Sequence, residues 1–187
     1  MRTFIAIELP PEIHSALAEL QNELMGSRAD VKWVKPENIH LTLKFLGEID
    51  ERQLTAVIRI LEETAQSQPA FSVSLSSLGA FPKLEHPRVI WVGINRASEK
   101  IRKIAEMLEE KISLIGLTRE ERPFASHVTI GRVRSALHRG ELVNQLKTAR
   151  LKEGQEFLVT KLTLFQSILS AQGPAYTLLK EANLKAA

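Results

Sequence analysis

The chain of 187 residues predicts an α+β fold of two lobes, and three observations carry that prediction. Strand-like and helix-like segments interleave, with connections that suit antiparallel pairing better than right-handed crossovers throughout. The stretch Pro36–Gly47, PENIHLTLKFLG, is echoed by Pro123–Arg134, PFASHVTIGRVR, in the corresponding place of the second half. Each copy holds a His-x-Thr-x tetrapeptide, 40–43 and 127–130, entered by a proline four residues before the histidine. A repeat of that kind points to a duplicated unit. No low-complexity linker divides the halves, so residues 1–187 are expected to form a single two-lobed domain with one motif per lobe.

The elements follow in order. Residues 2–9 carry Phe4, Ile5, Ala6 and Ile7 without a breaker and read as a mostly buried strand. Pro10-Pro11 starts a helix whose apolar face is Ile13, Leu17, Leu20 and Leu24, and Gly26 ends it. Residues 31–34 form a short strand, and Pro36-Glu37-Asn38 turns into the first motif strand, closed by Gly47. Asp50 with Gln53 has the pattern of a capping box, ahead of a helix that buries Leu54, Val57, Ile58 and Leu61. Residues 71–78 alternate apolar residues with serines and read as a half-buried strand. Residues 79–87, rich in breakers, read as a loop, and 88–94 as an antiparallel neighbour of the strand before it. The clearest helix spans 98–116, with Ile101, Ile104, Ala105, Leu108, Ile112 and Ile115 at the helical period. After a charged loop comes the second motif strand, then a weaker helix near 137–149. Residues 156–165 and 175–181 read as strands joined through Gly173-Pro174, and the tail after Asn183 is expected to fray.

Composition narrows the classes of function. Hydrophobic residues make up 44% and charged residues 25%, as in ordinary globular proteins. There is no apolar run of membrane-spanning length, and the N-terminus lacks the h-region of a signal peptide. The lack of cysteine excludes disulfides, thiolate metal sites and a cysteine nucleophile. A monomeric, cytoplasmic protein is expected, with no membrane partner. The net charge of +3 is compatible with anionic substrates without requiring nucleic acid.

Along a strand, residues i and i+2 share a face. His40 and Thr42 therefore lie on one face, with Leu41 and Leu43 on the other, and His127 and Thr129 repeat the pattern opposite Val128 and Ile130. Histidine titrates nearest neutrality, at about 6.5, so one imidazole can accept a proton while a second donates one. Cleaving a phosphodiester without a metal needs that pair, a base on the attacking oxygen and an acid on the leaving one. Two lobes, each supplying one strand, place them on opposite sides of phosphorus, as in-line displacement requires. The threonine hydroxyls can then donate to the non-bridging oxygens.

The segments HLTLKFLGE (40–48), RPFASHVTIGR (122–132), FIAIELP (4–10) and LFQSILSAQGPAYTLL (164–179) resemble the two-histidine phosphoesterases, and among them the RNA 2′,3′-cyclic phosphodiesterases, also called 2′-5′ RNA ligases. The resemblance implies two lobes of antiparallel sheet related by approximate two-fold symmetry, helices outside, and a central cleft lined by one motif strand from each lobe. It implies hydrolysis of RNA 2′,3′-cyclic phosphate ends to 2′-phosphomonoesters, with tRNA halves among the candidate substrates, and 2′-5′ ligation as the reverse. His40 is then the proton donor to the 3′-oxygen, His127 the proton acceptor from water, and no cofactor or metal is called for.

Other residues are placed by simpler arguments. In the family an arginine at the position of Arg132 is associated with the phosphate, although plain alternation puts Arg132 opposite His127, so that a bulge or strand end is needed. Lys44, by alternation, shares the face of His40 and adds positive potential to the cleft. Tyr176 is a candidate for stacking on a base. Phe45, Trp33 and Trp91 read as core or lobe-packing residues, and His14, His86 and His138 as surface residues without metal-ligand spacing. Three other readings stay open from the residues alone: a phosphodiesterase for another small cyclic phosphate, a non-catalytic module that binds RNA ends, and a structural protein in which the two motifs are coincidence.

Overall fold

The computed structural model describes residues 1–152, 155–170 and 173–186. Its elements run β1 (Arg2–Glu8), α1 (Pro11–Met25), β2 (Val31–Trp33), a 3₁₀ turn (Pro36–Asn38), β3 (His40–Glu48), α2 (Glu51–Gln66), β4 (Phe71–Lys83), β5 (His86–Ile94), α3 (Ser98–Ser113), β6 (His127–Val133), α4 (Arg139–Thr148), β7 (Glu156–Val159), β8 (Lys161–Ser170) and β9 (Gly173–Asn183). Two sheets form, in the orders β3-β1-β8-β9 and β2-β6-β5-β4-β7. Every ladder within them is antiparallel. The fold is α+β and bilobal, with one His-x-Thr-x strand in each sheet.

The lobes are not the halves of the sequence. The first sheet takes β1 and β3 from the start of the chain and the β8–β9 pair from its end. The helices cross over as well. Helix α1 lies between β1 and β3 in sequence, yet its Gln21 bonds the carbonyl of Ile130 on β6. Helix α3 lies between β5 and β6, yet it packs against β3 and α2. This reciprocal exchange explains why one continuous apolar core contains Ile5, Leu41 and Leu164 of the first sheet together with Ile90, Val128 and Ile130 of the second.

Local sequence accounts for most boundaries. Asp50 accepts from the backbone N–H of Gln53 at 2.7 Å while the Gln53 side chain accepts from the backbone N–H of Asp50 at 3.1 Å, the full capping box. Ile13, Leu17, Leu20 and Leu24 are all buried on α1, as are Ile101, Ile104, Ala105, Leu108 and Ile112 on α3. Gly116, beyond the end of α3, has φ +83°, where a side chain would be strained.

Three expectations need correction. Residues 79–87 are not a loop: β4 and β5 pair as far as Lys83 opposite His86. The breakers that suggested a loop lie where the hairpin outruns its neighbours, since β6 joins β5 only from Val89 onward. There Pro82 and Pro87 face each other without depriving a third strand of a hydrogen bond. Residues 156–165 are not one strand but two. Buried residues fall at Phe157 and Val159, then at Leu162 and Leu164, so the alternation slips by one at Thr160 and the chain passes from the second sheet to the first. The tail is not frayed at Asn183 either. Leu184 is buried and donates its N–H to Thr160, and Lys185 pairs with Pro69.

Candidate active site

Each motif histidine is fixed in the same way. The Nδ1 of His40 lies 2.8 Å from the carbonyl oxygen of Asn38, and the Nδ1 of His127 lies 2.6 Å from that of Ala125, two residues back in both cases. A carbonyl only accepts, so Nδ1 carries the hydrogen and Nε2 is the atom left for chemistry. Asn38 also donates from its side chain to the Pro174 carbonyl at 3.0 Å, tying the turn before His40 to the start of β9. Thr42 and Thr129 are half-buried on the faces of their histidines, and among the described residues neither hydroxyl has a hydrogen-bond partner.

Beyond each threonine the strand bulges, and the bulges decide which later side chains reach the cleft. On β3, Thr42 pairs with Ala6 and Lys44 with Ile5, leaving Leu43 as the extra residue. On β6, Thr129 pairs with Trp91 and Gly131 with Ile90, leaving Ile130 as the extra residue. One inserted residue exchanges the faces of everything after it. The residue five after each histidine therefore joins the histidine's face: Arg132 on β6, Phe45 on β3.

Lys44 is displaced by the same shift. It does not share the face of His40; it is buried, contacts both carboxylate oxygens of Glu109 on α3 at 2.9 and 3.0 Å, and donates to the Thr118 carbonyl at 3.0 Å. Phe45, read as core, is 59% exposed. Gln21, which the sequence reading passed over, is buried and donates to the carbonyls of Ile130 and Val34 at 2.8 and 2.7 Å. It anchors the bulged residue of β6 from α1, as Glu109 anchors β3 from α3. The sequence signal was a lone amide on the apolar side of α1.

Rings enclose both histidines. His40 stacks on Phe4 at 4.7 Å and meets Tyr176 edge-on at 5.3 Å. His127 meets Phe81 edge-on at 5.1 Å and Trp91 at 6.3 Å. Trp91 is thus a wall of the His127 site rather than a core residue. Burial lowers the pKa of both histidines; the bond to the Asn38 carbonyl opposes this at His40 and that to Ala125 at His127, while the charge of Arg132 lowers His127 further. Burial also raises the phenol of Tyr176, against the opposing charges of Arg132 and Arg2. Arg132 of one lobe thus acts on a residue that touches His40 of the other, and β3 and β6 lie in contact across the lobes. His14, expected at the surface, is half-buried with Nε2 3.1 Å from the Ile39 carbonyl, close enough for its charge to lower His40.

The structure thus groups Thr42 and Tyr176 with His40 and groups Thr129 and Arg132 with His127, joins the two groups through the contact of β3 with β6 and the charge of Arg132 on both His127 and Tyr176, and takes Lys44 out of both. Among the described residues no three His, Asp or Glu side chains cluster as metal ligands would. No described helix is long and apolar enough to cross a membrane.

The family model described as LigT-like phosphoesterase matches the chain twice, over residues 7–91 and again over 92–176. The chain belongs to the LigT-like phosphoesterases. Each match to the family holds one His-x-Thr-x motif, and the boundary between the two falls inside β5. Among its relatives, a Thermotoga maritima protein named RNA 2′,3′-cyclic phosphodiesterase is 33% identical over 99% of this chain and 96% of its own length. A protein of the same name from Archaeoglobus fulgidus is 35% identical, over 94% of this chain and 96% of the relative. The crystal structure of E. coli LigT complexed with 3′-AMP matches with a TM-score of 0.82 at 28% identity, over 98% of this chain and 97% of the other.

Proposed function

We propose that this LigT-like phosphoesterase hydrolyses RNA 2′,3′-cyclic phosphate ends to 2′-phosphomonoesters by a two-histidine acid–base mechanism. The observation that carries the reading is the matched pair of imidazoles: each is locked by a carbonyl on Nδ1, offers Nε2, and has a threonine hydroxyl on its own strand face. Water attacks phosphorus as His127 takes its proton, and the 3′-oxygen leaves with a proton from His40. Arg132 breaks the symmetry between the two, because its charge favours a neutral His127, the state a base needs. Arg132 also neutralises the phosphate, and Thr42 and Thr129 donate to its non-bridging oxygens. Tyr176, kept a phenol by burial, closes the His40 side, and Phe45 offers an exposed ring to the terminal base. With a 5′-hydroxyl in the place of water, the reverse reaction forms a 2′-5′ linkage.

The test is a short RNA ending in a 2′,3′-cyclic phosphate, incubated with the protein in the presence of chelator. Conversion to the 2′-phosphate is expected. A 3′-phosphate product would reverse the assignment of the leaving oxygen, and a cyclic end that binds without turning over would make the protein a binding module.

The two lowered pKa values set a pH dependence. A base is active only above its pKa and an acid only below its own, and in the free enzyme both lie beneath the usual value of about 6.5. A profile of kcat/KM against pH is therefore expected to peak below 6.5. Bound phosphate adds negative charge beside His40 and raises its pKa, so the basic limb of kcat should fall at higher pH than that of kcat/KM. A kcat/KM still climbing through pH 7.5 would contradict this.

A further inference from the structure

Phosphate chemistry at the two histidines accounts for Arg132 but not for the cations beside it. Val31, Trp33 and Val133 pack on the core side of β2 and β6. Lys32 therefore points away from the core, and so does Arg132, its partner in the ladder. Arg134 follows two residues later. Its N–H bonds the Asp30 carbonyl at 2.8 Å, so the pairing of β2 with β6 runs one step past Val133. The extra residue Ile130, which turns Arg132 to the face of His127, turns Arg134 with it. Lys32, Arg132 and Arg134 thus form a row of cations on the His127 face, ending at β2, the edge strand of the second sheet. All three are exposed, and among the described residues none makes a side-chain hydrogen bond or an ion pair. Asp30, the carboxylate in register with Arg134, makes no ion pair there either.

Open cations in a row fit a polyanion, and the position of the row names it. A nucleic-acid strand carries a phosphate at every nucleotide, and each one neutralised releases condensed counterions. The leaving 3′-oxygen belongs to the terminal ribose, which therefore lies on the His40 side, by Tyr176. The charge of Arg132 reaches both Tyr176 and His127, so Arg132 stands where that ribose meets the reacting phosphate. The strand leaves the ribose through its 5′-oxygen, and its next charge is the phosphate of the preceding linkage. Lys32 and Arg134 are the next cations out from Arg132. A free cyclic mononucleotide has nothing to place on them.

We propose that Lys32 and Arg134 hold backbone phosphates of the RNA upstream of the cyclic end, so that the protein selects strands over cyclic mononucleotides. The inference rests on the phosphodiesterase reading, which sets the reacting phosphate against Arg132. The contacts are to phosphate and not to bases, so they carry a length preference and a salt dependence without a sequence preference. Two such contacts on a single strand correspond to a log–log slope against salt of about −1.4.

The experiment measures kcat/KM for a pentanucleotide ending in a 2′,3′-cyclic phosphate and for adenosine 2′,3′-cyclic phosphate, between about 50 and 200 mM salt. The proteins are wild type, Lys32→Ala, Arg134→Ala and Arg134→Lys. Both substrates share the reacting phosphate, so their ratio removes the part played by Arg132. In wild type the ratio should favour the strand and fall with salt at the slope of about −1.4. Each alanine variant should lower the ratio about five- to tenfold at the low-salt end and bring the slope to about −0.7. Arg134→Lys, which keeps the charge, should keep the wild-type slope. Both side chains are exposed, so none of these variants should disturb folding. A wild-type ratio indifferent to salt would overturn the proposal, and so would alanine variants that keep the full slope. If wild type turns over neither substrate, the phosphodiesterase reading falls, and the row is judged by fluorescence anisotropy of the same pentanucleotide, labelled. A binding slope reduced by about 0.7 in each alanine variant then keeps the row as an RNA site, and an unchanged slope removes it.

Discussion

His40→Ala and His127→Ala are each expected to lower kcat for cyclic phosphate hydrolysis by about 10²–10⁴, the usual worth of a positioned acid or base. Neither change should unfold the protein. Each ring is held by one carbonyl bond and by ring contacts at the cleft surface, and neither belongs to the continuous apolar core. The two losses should not multiply in the double variant, because acid and base act in one transition state. The roles separate with a diester whose leaving group has a low pKa and needs no proton. His40→Ala should recover most of its rate on that substrate, and His127→Ala should not. Equal recovery by both would leave the roles unassigned by chemistry, and recovery by His127→Ala alone would exchange them. Activity untouched by either substitution would remove the catalytic reading altogether.

Much of this was legible because the motif states its own geometry. Strand alternation alone puts His40 with Thr42 and His127 with Thr129, and the structure has them so. The capping box at Asp50 and Gln53 and the apolar faces of α1 and α3 were equally direct, because caps and helical periods are local properties. What alternation could not show is where it stops. Leu43 and Ile130 are ordinary strand residues, and nothing in their identity marks them as inserted. The bulges carry contacts that no local pattern shows: Gln21 bonds the carbonyl of the inserted Ile130, and Glu109 pairs with Lys44 beside the inserted Leu43, each from a helix far away in sequence. Hence plain alternation puts Lys44 and Phe45 each on the wrong face, while Arg132 joins the face of His127 only through a bulge that the sequence names as a condition. The swap of helices between lobes was hidden for the same reason. Only the slip from Phe157 and Val159 to Leu162 and Leu164 was readable as a change of sheet, and it was missed because the stretch has no glycine or proline to punctuate it.

The corrected place of Lys44 leads to the second large effect, on stability rather than rate. Its side chain is 4% exposed and that of Glu109 19%, so the two charges meet largely out of water. Removing one partner strands the other, and breaking such a pair costs about 3–5 kcal/mol. The partial exposure of Glu109 argues for the lower end, about 3 kcal/mol, in Glu109→Ala. Glu109 also accepts from the backbone N–H of Glu120 at 3.0 Å, so the loop after α3 loses a tether too. For a chain of this size that is a fall in Tm of about 6–12 °C. Replacing both partners, as Lys44→Met with Glu109→Leu, removes the stranded charge and should regain most of the loss, because a buried ion pair is worth little more than apolar side chains of the same volume. Thermal unfolding of the wild type, Lys44→Met, Glu109→Leu and the double variant forms a closed cycle that reads this coupling directly. A cleft cation would behave otherwise: Lys44→Met would leave Tm nearly unchanged and raise KM for the phosphate, most of all at low salt, where exposed charges are least screened. The burial of Lys44 and its two partners on the helix side of β3 predict the first pattern.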